Sequence, residues 1–178
     1  MIETIDYQAI CKEVQEIAKE SGNFIRTERK KISKSDIKLK SHSSLVTYVD
    51  KQSEAQIVEH LKRLIPSSGF ITEEGTASYS LERYKWIVDP LDGTTNFVHG
   101  IYPHSVSIAL MDNQDIVLGV VFEIGQNEMF YAWKDSPAFL NGKIINPASN
   151  TNLKDTLIGT GFPYYDFEII DKYLASMK

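Results

Sequence analysis

Cysteine is almost absent from the 178-residue sequence, since Cys11 is the only one. An internal disulfide is therefore excluded, which is typical of proteins that stay in the reducing cytoplasm. No apolar run approaches the roughly 20 residues that cross a bilayer. The first residues are mixed polar and lack a signal-peptide pattern. We therefore expect a cytoplasmic protein with no membrane partner.

The sequence also lacks an excess of positive charge. Nineteen Lys and Arg residues stand against 24 Asp and Glu residues, and the net charge is −5. This balance argues against nucleic acid as a main partner, because binding a phosphate backbone requires a basic surface. Low-complexity tracts and internal repeats are missing as well. Apolar residues make up 42% of the chain, which is enough for a packed core.

Helical periodicity is clear in the first third of the chain. Residues 7 to about 29 carry apolar side chains at three-and-four spacing, and a second such helix follows Asp50. The apolar positions of the first are Ile10, Val14, Ile17, Ala18, Ser21, Phe24 and Ile25. Those of the second are Ala55, Ile57, Val58, Leu61 and Leu64.

Short apolar runs separated by turn residues predict a sheet after these helices. We expect strands over residues 69–72, up to Val88, and over 105–111, 116–124 and 128–133. Pro90 should end the second of them, because proline gives no N–H to a ladder. Residues 116–124 are apolar on both faces, which predicts a central strand covered on each side. Two helices against a largely antiparallel sheet predict an α+β layered domain.

The composition changes after Ile145, where Pro, Ser, Asn and Thr become frequent. This change predicts a boundary between an N-terminal α+β domain, residues 1–146, and the start of a second α/β domain, residues 147–178. A strand over residues 156–160 and a helix from near Asp166 are expected in the second part.

The richest stretch for chemistry is residues 85–97, Lys-Trp-Ile-Val-Asp-Pro-Leu-Asp-Gly-Thr-Thr-Asn-Phe. Asp89 and Asp92 follow an apolar strand and offer oxygen ligands to a hard cation such as Mg²⁺. Gly93-Thr94-Thr95 can open a helix whose free N–H groups bind phosphate. A simple turn with a helix cap is the alternative, and the spacing alone does not decide between them.

Two further acidic positions also follow short apolar runs. Glu73 and Glu74 come after residues 69–72, where two adjacent acids would otherwise repel each other. Asp50 comes after residues 46–49 and begins the second helix. On sequence alone, Asp50 is better explained as an acid in the first helical turn, favoured by the helix dipole.

Together these motifs resemble those of the inositol monophosphatase family. Residues 89–97 are similar to its signature, and Leu45-Val46-Thr47, Asp50 and Glu73-Glu74 match its earlier motifs in order. The resemblance runs from the first helix to about Pro163. It implies an α/β sandwich of the sugar-phosphatase type. It also implies magnesium-dependent, lithium-sensitive hydrolysis of a small phosphorylated sugar or polyol, with inositol 1-phosphate first, by a homodimer.

The resemblance also implies roles for individual residues. Two or three Mg²⁺ ions would be held by Glu73, Asp89, the Leu91 carbonyl and Asp92. The catalytic group that orients the attacking water would be Asp50, Glu73 and Thr94. The phosphate would be bound by Asp92, Gly93, Thr94 and Thr95. For Glu74, a water-mediated contact to the metal and plain solvent exposure stay equally open.

Enzymes that resemble this chain continue past its last residue, Lys178. Their later part supplies a Trp-Asp motif whose aspartate is a metal ligand, and residues that hold the sugar alcohol. Neither is present among the 178 residues. The resemblance therefore predicts that this chain alone has little or no phosphatase activity.

Three other functions are alternatives to this one. A haloacid-dehalogenase-like phosphatase needs Asp-x-Asp-Gly-Thr, but Pro90 lies two residues before Asp92, so that class is excluded. Related phosphatases act on fructose 1,6-bisphosphate or on a 3′-phosphonucleotide, and they tend to have Ser-Ser or Thr-Lys in place of Thr94-Thr95. The third alternative is a non-catalytic binding or assembly domain that keeps the fold.

One basic segment, residues 26–40, has seven Lys and Arg residues. It is either a solvated helix end with a loop or a flap that brings positive charge towards a phosphate. The sequence does not choose between them.

Overall fold

The computed structural model describes residues 5–32, 38–41, 44–75, 82–149, 152–161 and 167–177. The helices are α1 Tyr7–Glu28, α2 Tyr48–Leu64, α3 Thr94–His99 and α4 Ile170–Ala175, with one 3₁₀ turn, Leu153–Asp155. The strands are β1 Lys38–Ser41, β2 Ser44–Val46, β3 Gly69–Thr72, β4 Tyr84–Asp92, β5 Ser105–Asp112, β6 Asp115–Glu123, β7 Glu128–Trp133, β8 Ala138–Leu140 and β9 Lys143–Ile145.

Seven strands form one sheet in the sequential order β3 to β9. The β3–β4 pair is parallel, and every other neighbouring pair in it is antiparallel. Helices α1 and α2 pack together against one face of this sheet. The predicted α+β layered architecture is confirmed, while the single parallel pair was not anticipated. Separately, β1 and β2 form a small antiparallel hairpin, so part of the basic segment 26–40 is a strand; residues 33–37 lie outside the described part.

Helix α1 has nearly the predicted bounds. Its N-cap residue Asp6 accepts hydrogen bonds from the backbone N–H groups of Gln8 and Ala9, which otherwise lack helical partners. The buried face also contains Cys11 and Gly22, which the apolar pattern did not include. A Cβ at Gly22 would come within 2.5 Å of the Phe122 ring. Glycine therefore lets α1 lie close to β6.

Helix α2 begins at Tyr48, two residues before the predicted start. Thr47 is its N-cap, and Asp50 completes a capping box. The predicted apolar face is wrong at one position, because Ala55 is exposed whereas Glu54 is completely buried. The helix therefore turns an acid, not only apolar side chains, towards the sheet.

The prediction that Pro90 ends its strand is wrong. Strand β4 runs on to Asp92. The parallel partner β3 stops opposite Val88, so no β3 ladder needs the missing N–H of Pro90. On the other side, pairing with β5 shifts register between Asp89 and Asp92. Proline is tolerated at such an irregularity because no regular ladder bond is lost there.

Strand β6 lies in the middle of the sheet, as expected, but it is not covered on both faces. Leu118, Val120 and Phe122 are buried on the side of α1. On the other face Val121 is 38% exposed. The prediction of cover on each side is therefore wrong for the residues that the structure describes.

The part after Ile145 differs from its prediction. Residues 156–160 form no strand, and the last helix begins at Ile170; the expected start at Asp166 lies outside the described residues. Leu157 is 98% exposed and Ile158 is 67% exposed. A strand needs a neighbour to pair with, and none is present for this segment in the described part of the chain. No described helix is both long and apolar enough to cross a bilayer.

Candidate active site

The parallel pairing of β3 and β4 brings two predicted metal ligands to one edge of the sheet. Thr72 lies opposite Val88, so the two strands end side by side and Glu73 directly neighbours Asp89. The Glu73 N–H donates to the Val88 carbonyl at 3.2 Å, which ties the two strand ends together. Fifteen intervening residues separate Glu73 from Asp89 in sequence, and only the strand pairing makes them neighbours.

Asp89 has a strongly altered proton affinity. Burial raises the pKa of its carboxyl to about 7, and the adjoining Glu73 carboxyl and the charge of Asp92 contribute to the rise. The Leu91 N–H, which donates to Asp89 Oδ1 at 3.1 Å, opposes it. Three acids of like charge are therefore crowded at the end of β4. Such crowding stabilises a bound proton or cation.

The donor set fits a hard divalent cation. Three side chains offer carboxylate oxygens, those of Glu73, Asp89 and Asp92. The Leu91 carbonyl, between Asp89 and Asp92 in sequence, offers a fourth oxygen. Mg²⁺ prefers oxygen ligands of these kinds. Within the described residues, no three His, Cys, Asp or Glu side chains are already arranged around a common ion position. The carboxylates are thus close enough to repel each other, while their side chains are not preset as a cage.

The first turn of α2 contributes Asp50, which is 2% exposed. Its Oδ2 accepts hydrogen bonds from the Thr47 N–H at 2.8 Å and from the Thr47 hydroxyl at 2.7 Å. Its Oδ1 accepts a hydrogen bond from Thr94 Oγ1 at 3.0 Å. One oxygen of Asp50 therefore caps the helix, as the sequence favoured, and the other contacts Thr94, with which the resemblance groups it.

Thr94 connects Asp50 to the end of β4. Its hydroxyl oxygen lies 3.0 Å from both Asp50 Oδ1 and the Leu91 carbonyl oxygen. The single hydroxyl proton is donated within this pair of acceptors, so the oxygen lone pairs stay available to accept a hydrogen bond from a third group.

Gly93 lies between Asp92 and α3 in a left-handed conformation, with φ of 88°. A Cβ there would lie 3.0 Å from the Pro103 carbonyl oxygen. Both facts favour glycine. No side chain caps the start of α3, since Gly93 has none to offer. The first-turn N–H groups at Thr94 and Thr95 are therefore not blocked by a capping side chain.

Glu54 is a site residue that the sequence reasoning missed. It lies one helical turn after Asp50, is fully buried, and accepts a hydrogen bond from the Glu74 N–H at 2.7 Å. Asp50 and Glu54 thus lie on one face of α2. Asp50 contacts Thr94, and Glu54 contacts the Glu73–Glu74 segment. The available signal was an acid within the apolar face of a helix, four residues after another acid.

A second contact between the helices and β4 was also missed. The Ser21 and Ser53 hydroxyls lie 2.6 Å apart in the core, and Ser53 Oγ lies 3.5 Å from the Pro90 carbonyl oxygen. Both serines are buried. Helices α1 and α2 are therefore linked by polar contacts to the segment that carries Asp89 and Leu91.

Residues 6–171 match the model of the inositol monophosphatase family. A fructose-1,6-bisphosphatase/inositol-1-monophosphatase of Thermotoga maritima is 36% identical over 134 residues, covering 75% of this chain and 50% of that protein. A Nus factor SuhB of Pasteurella multocida is 34% identical over 162 residues, covering 90% of this chain and 61% of that protein.

The fold is also similar to solved structures. The crystal structure of extragenic suppressor protein suhB from Bartonella henselae superposes with a TM-score of 0.88 at 31% identity. The match covers 95% of this chain and 65% of that one. The chain therefore spans between half and two thirds of the relatives that it matches. With the family model matching most of its length, the chain belongs to the inositol monophosphatase family.

Proposed function

We propose that the protein hydrolyses a small phosphate monoester in a magnesium-dependent reaction, with inositol 1-phosphate as the first candidate substrate. The observation that carries the proposal is the hydrogen bond between Thr94 and Asp50, which joins residues 44 positions apart. Thr94 also contacts the carbonyl of Leu91, which lies between Asp89 and Asp92 in sequence. A structural helix cap alone would not require Thr94, because Thr47 already satisfies Asp50 Oδ2.

Glu73, Asp89, Asp92 and the Leu91 carbonyl would hold the magnesium. When bound, the ions would neutralise charge on the phosphoryl oxygens and acidify a water molecule. The chain's own residues would orient that water. Asp50 orients the Thr94 hydroxyl by accepting its hydrogen bond, and Thr94 Oγ1 would in turn accept a hydrogen bond from the water. Glu73 is the second group that would orient it.

The phosphate would lie at the start of α3. The backbone N–H groups of Gly93, Thr94 and Thr95 would donate to its oxygens, and Asp92 would contact it through the cation. This arrangement needs no covalent phosphoenzyme. Gly93 supports the proposal, because its left-handed conformation turns the chain from β4 into α3 without a side chain in the way.

Metal binding is the first test, since it does not require turnover. Calorimetric titration of the 178-residue chain with MgCl₂ should show a site that is lost in Asp89→Asn. Asp115→Asn is the matched control, because Asp115 is an exposed acid at the start of β6. Equal Mg²⁺ binding by all three proteins would refute the ligand assignment.

Hydrolysis of inositol 1-phosphate is the second test. The chain spans only part of its relatives' length, so we expect low turnover from it alone. Fructose 1,6-bisphosphate and a 3′-phosphonucleotide should be assayed beside it. LiCl should inhibit any turnover more than NaCl at equal ionic strength, because Li⁺ is a small hard cation suited to oxygen ligands. Equal inhibition by both salts would remove lithium sensitivity from the proposal.

The assembly proposed for the protein is a cytoplasmic homodimer, in which residues 1–146 carry the site and residues 147–178 begin a second α/β unit. The exposure of Leu157 and Ile158 supports the second unit, since apolar residues of this size usually pack against a partner element. Sedimentation equilibrium of the chain measures the dimer. A monomer at all concentrations would contradict it.

A non-catalytic role is the second candidate. It is favoured by one observation, the similarity to a protein named Nus factor SuhB. A binding domain of this kind would keep the fold but show no magnesium-dependent hydrolysis of any monoester. The titration and the assay above separate the two functions.

A further inference from the structure

A cleft of about 340 Å³ lies at the end of α1, and none of the β4 carboxylates lines it. It is lined by Arg26, Arg29, Lys30, Tyr102, His104 and Ile124. Three of these six residues are cationic. These three cations belong to the basic segment 26–40, which has no role in the proposed reaction.

Two of the cations are held in place by contacts. Arg26 donates from Nη2 to the Ile124 carbonyl at 2.6 Å and from Nη1 to Asn23 Oδ1 at 3.0 Å. The guanidinium of Arg29 lies 5.6 Å from the centre of the Tyr102 ring, and its Nη1 lies 3.4 Å from the Tyr102 hydroxyl. Arg26 and Arg29 are therefore held at the cleft by contacts with α1, Ile124 and Tyr102.

No carboxylate forms an ion pair with Arg26, Arg29 or Lys30 among the residues that the structure describes. The nearby acids are engaged. Glu28 binds Lys31 and the Tyr48 hydroxyl, and both Glu123 oxygens accept backbone N–H groups of the following turn. Like charges held close together cost free energy, and a bound anion would offset that cost.

Packed aromatic rings form another part of the cleft lining. The Tyr102 ring stacks on His104 with centroids 4.9 Å apart, and His104 contacts Phe97 of α3 edge to face. Burial lowers the pKa of His104, and the guanidiniums of Arg29 and Arg26 lower it further. His104 therefore adds a neutral ring to the wall, and the cations supply the charge.

We propose that this cleft is a second oxyanion site, which binds a phosphate dianion through Arg26, Arg29 and Lys30. The Arg29 guanidinium, the N–H groups of Arg26 that are not bound to Asn23 and Ile124, and the Lys30 ammonium can donate to the oxygens of a tetrahedral dianion. The site is distinct from the proposed catalytic phosphate position, because none of its lining residues is among Gly93, Thr94 and Thr95. It also does not need the metal, so it stands independently of the proposed activity.

The second site is physically connected to the first. The Pro103–His104 segment packs on Gly93, where a Cβ would lie 3.0 Å from the Pro103 oxygen and 3.3 Å from His104 Cα. Asn96 of α3 also donates to the Pro103 carbonyl at 2.7 Å. An anion held against Tyr102 would thus stiffen the segment that supports the start of α3.

The test is a titration of the ¹⁵N-labelled 178-residue chain with sodium phosphate in EDTA, at constant ionic strength. We expect saturable shifts of the Arg29, Lys30 and Tyr102 amides. Arg29→Gln should weaken binding by at least about tenfold, since a charge-assisted hydrogen bond is lost. Arg63→Gln removes the same charge from an exposed position on α2 and should leave the affinity unchanged.

Lys30→Gln is a second variant that does not threaten folding, because Lys30 is exposed. It should weaken phosphate binding about threefold, the effect of one exposed charge contact. Shifts confined to Gly93, Thr94 and Thr95 would overturn the proposal. So would shifts that do not saturate, or equal weakening by Arg63→Gln and Arg29→Gln.

Discussion

The two ends of strand β4 differ in how their charges are balanced. Just before the strand, Arg83 donates to both oxygens of Asp112, from Nε at 2.6 Å and from Nη2 at 2.8 Å. These hydrogen bonds lower the pKa of Asp112. At the other end, burial and the neighbouring acids raise the pKa of Asp89 to about 7.

The two ends therefore differ in the sign of the neighbouring charge. The Arg83–Asp112 pair joins opposite charges and is satisfied by the protein itself. At the far end, Glu73 and Asp92 bring like charges to Asp89. Groups whose pKa is shifted by burial and by specific neighbours concentrate at functional sites. This contrast supports the proposal that the carboxylate end of β4 binds a cation.

The sharpest way to break this comparison is Asp89→Asn. Magnesium affinity should fall by more than about a hundredfold, since loss of a direct ligand exceeds the 10–100-fold effect of an outer partner. In EDTA the same variant should melt at a higher temperature than the parent, because a repelling charge has gone. Differential scanning calorimetry with and without MgCl₂ measures both. A lower melting temperature in EDTA would contradict the account of crowded charges.

Thr94→Ala tests the part of the site that is satisfied by hydrogen bonds. Removing one positioned hydroxyl should lower kcat roughly a hundredfold with little change in KM, as for loss of a preorganised polar group. Thr95→Ala is the matched control, because it removes an adjacent exposed hydroxyl and keeps the backbone N–H that would bind the phosphate. Steady-state kinetics on a protein with measurable turnover decide it. Unchanged kcat with altered KM would mean that Thr94 serves binding alone.

Glu54→Gln tests the contact between helix α2 and the Glu73–Glu74 segment, which follows β3 beside the carboxylate end of β4. The variant keeps the shape but replaces a charged acceptor of the Glu74 N–H with a neutral one, which should cost about 1–2 kcal/mol of unfolding free energy. Magnesium affinity should fall with it, because the Glu73–Glu74 segment loosens. Urea denaturation and calorimetry measure the two effects, and Glu59→Gln, an exposed acid of the same helix, is the control. A stability loss without any change in Mg²⁺ affinity would limit Glu54 to packing.

The smallest effect is expected at the other end of β4, from Arg83→Gln. The pKa of Asp112 is lower in the folded protein than its ordinary value of about 3.9. Its ion pair with Arg83 therefore stabilises the fold above about pH 3.9, and this contribution is lost as the pH falls through the folded pKa. The variant should melt slightly below the parent at pH 7, and the gap should close below about pH 4. Melting curves from pH 2 to 8 test this, with Lys154→Gln as the control. A gap independent of pH would mean that Arg83 acts through packing on Tyr84.

Local sequence determined much of the fold. The periodicity of residues 7–29 gave α1 almost to the residue, and the runs 69–72 and 128–133 match β3 and β7. Such elements follow from side-chain spacing and turn residues, which act over a few positions. The strand predicted over residues 156–160 is wrong because local composition does not supply a pairing partner. These residues have strand-like composition but no strand to pair with among the described residues.

The motif Asp89, Asp92, Gly93 and Thr94 and the helix start that follows it could be identified from sequence, since all its residues are local. The tertiary structure decided what stands beside it. Parallel pairing of β3 with β4 placed Glu73 next to Asp89, and packing of α2 placed Asp50 against Thr94 and the buried Glu54 behind Glu74. These contacts join residues 16, 44 and 20 positions apart. No local propensity encodes them, because strand order and helix packing are set by burial of the whole core.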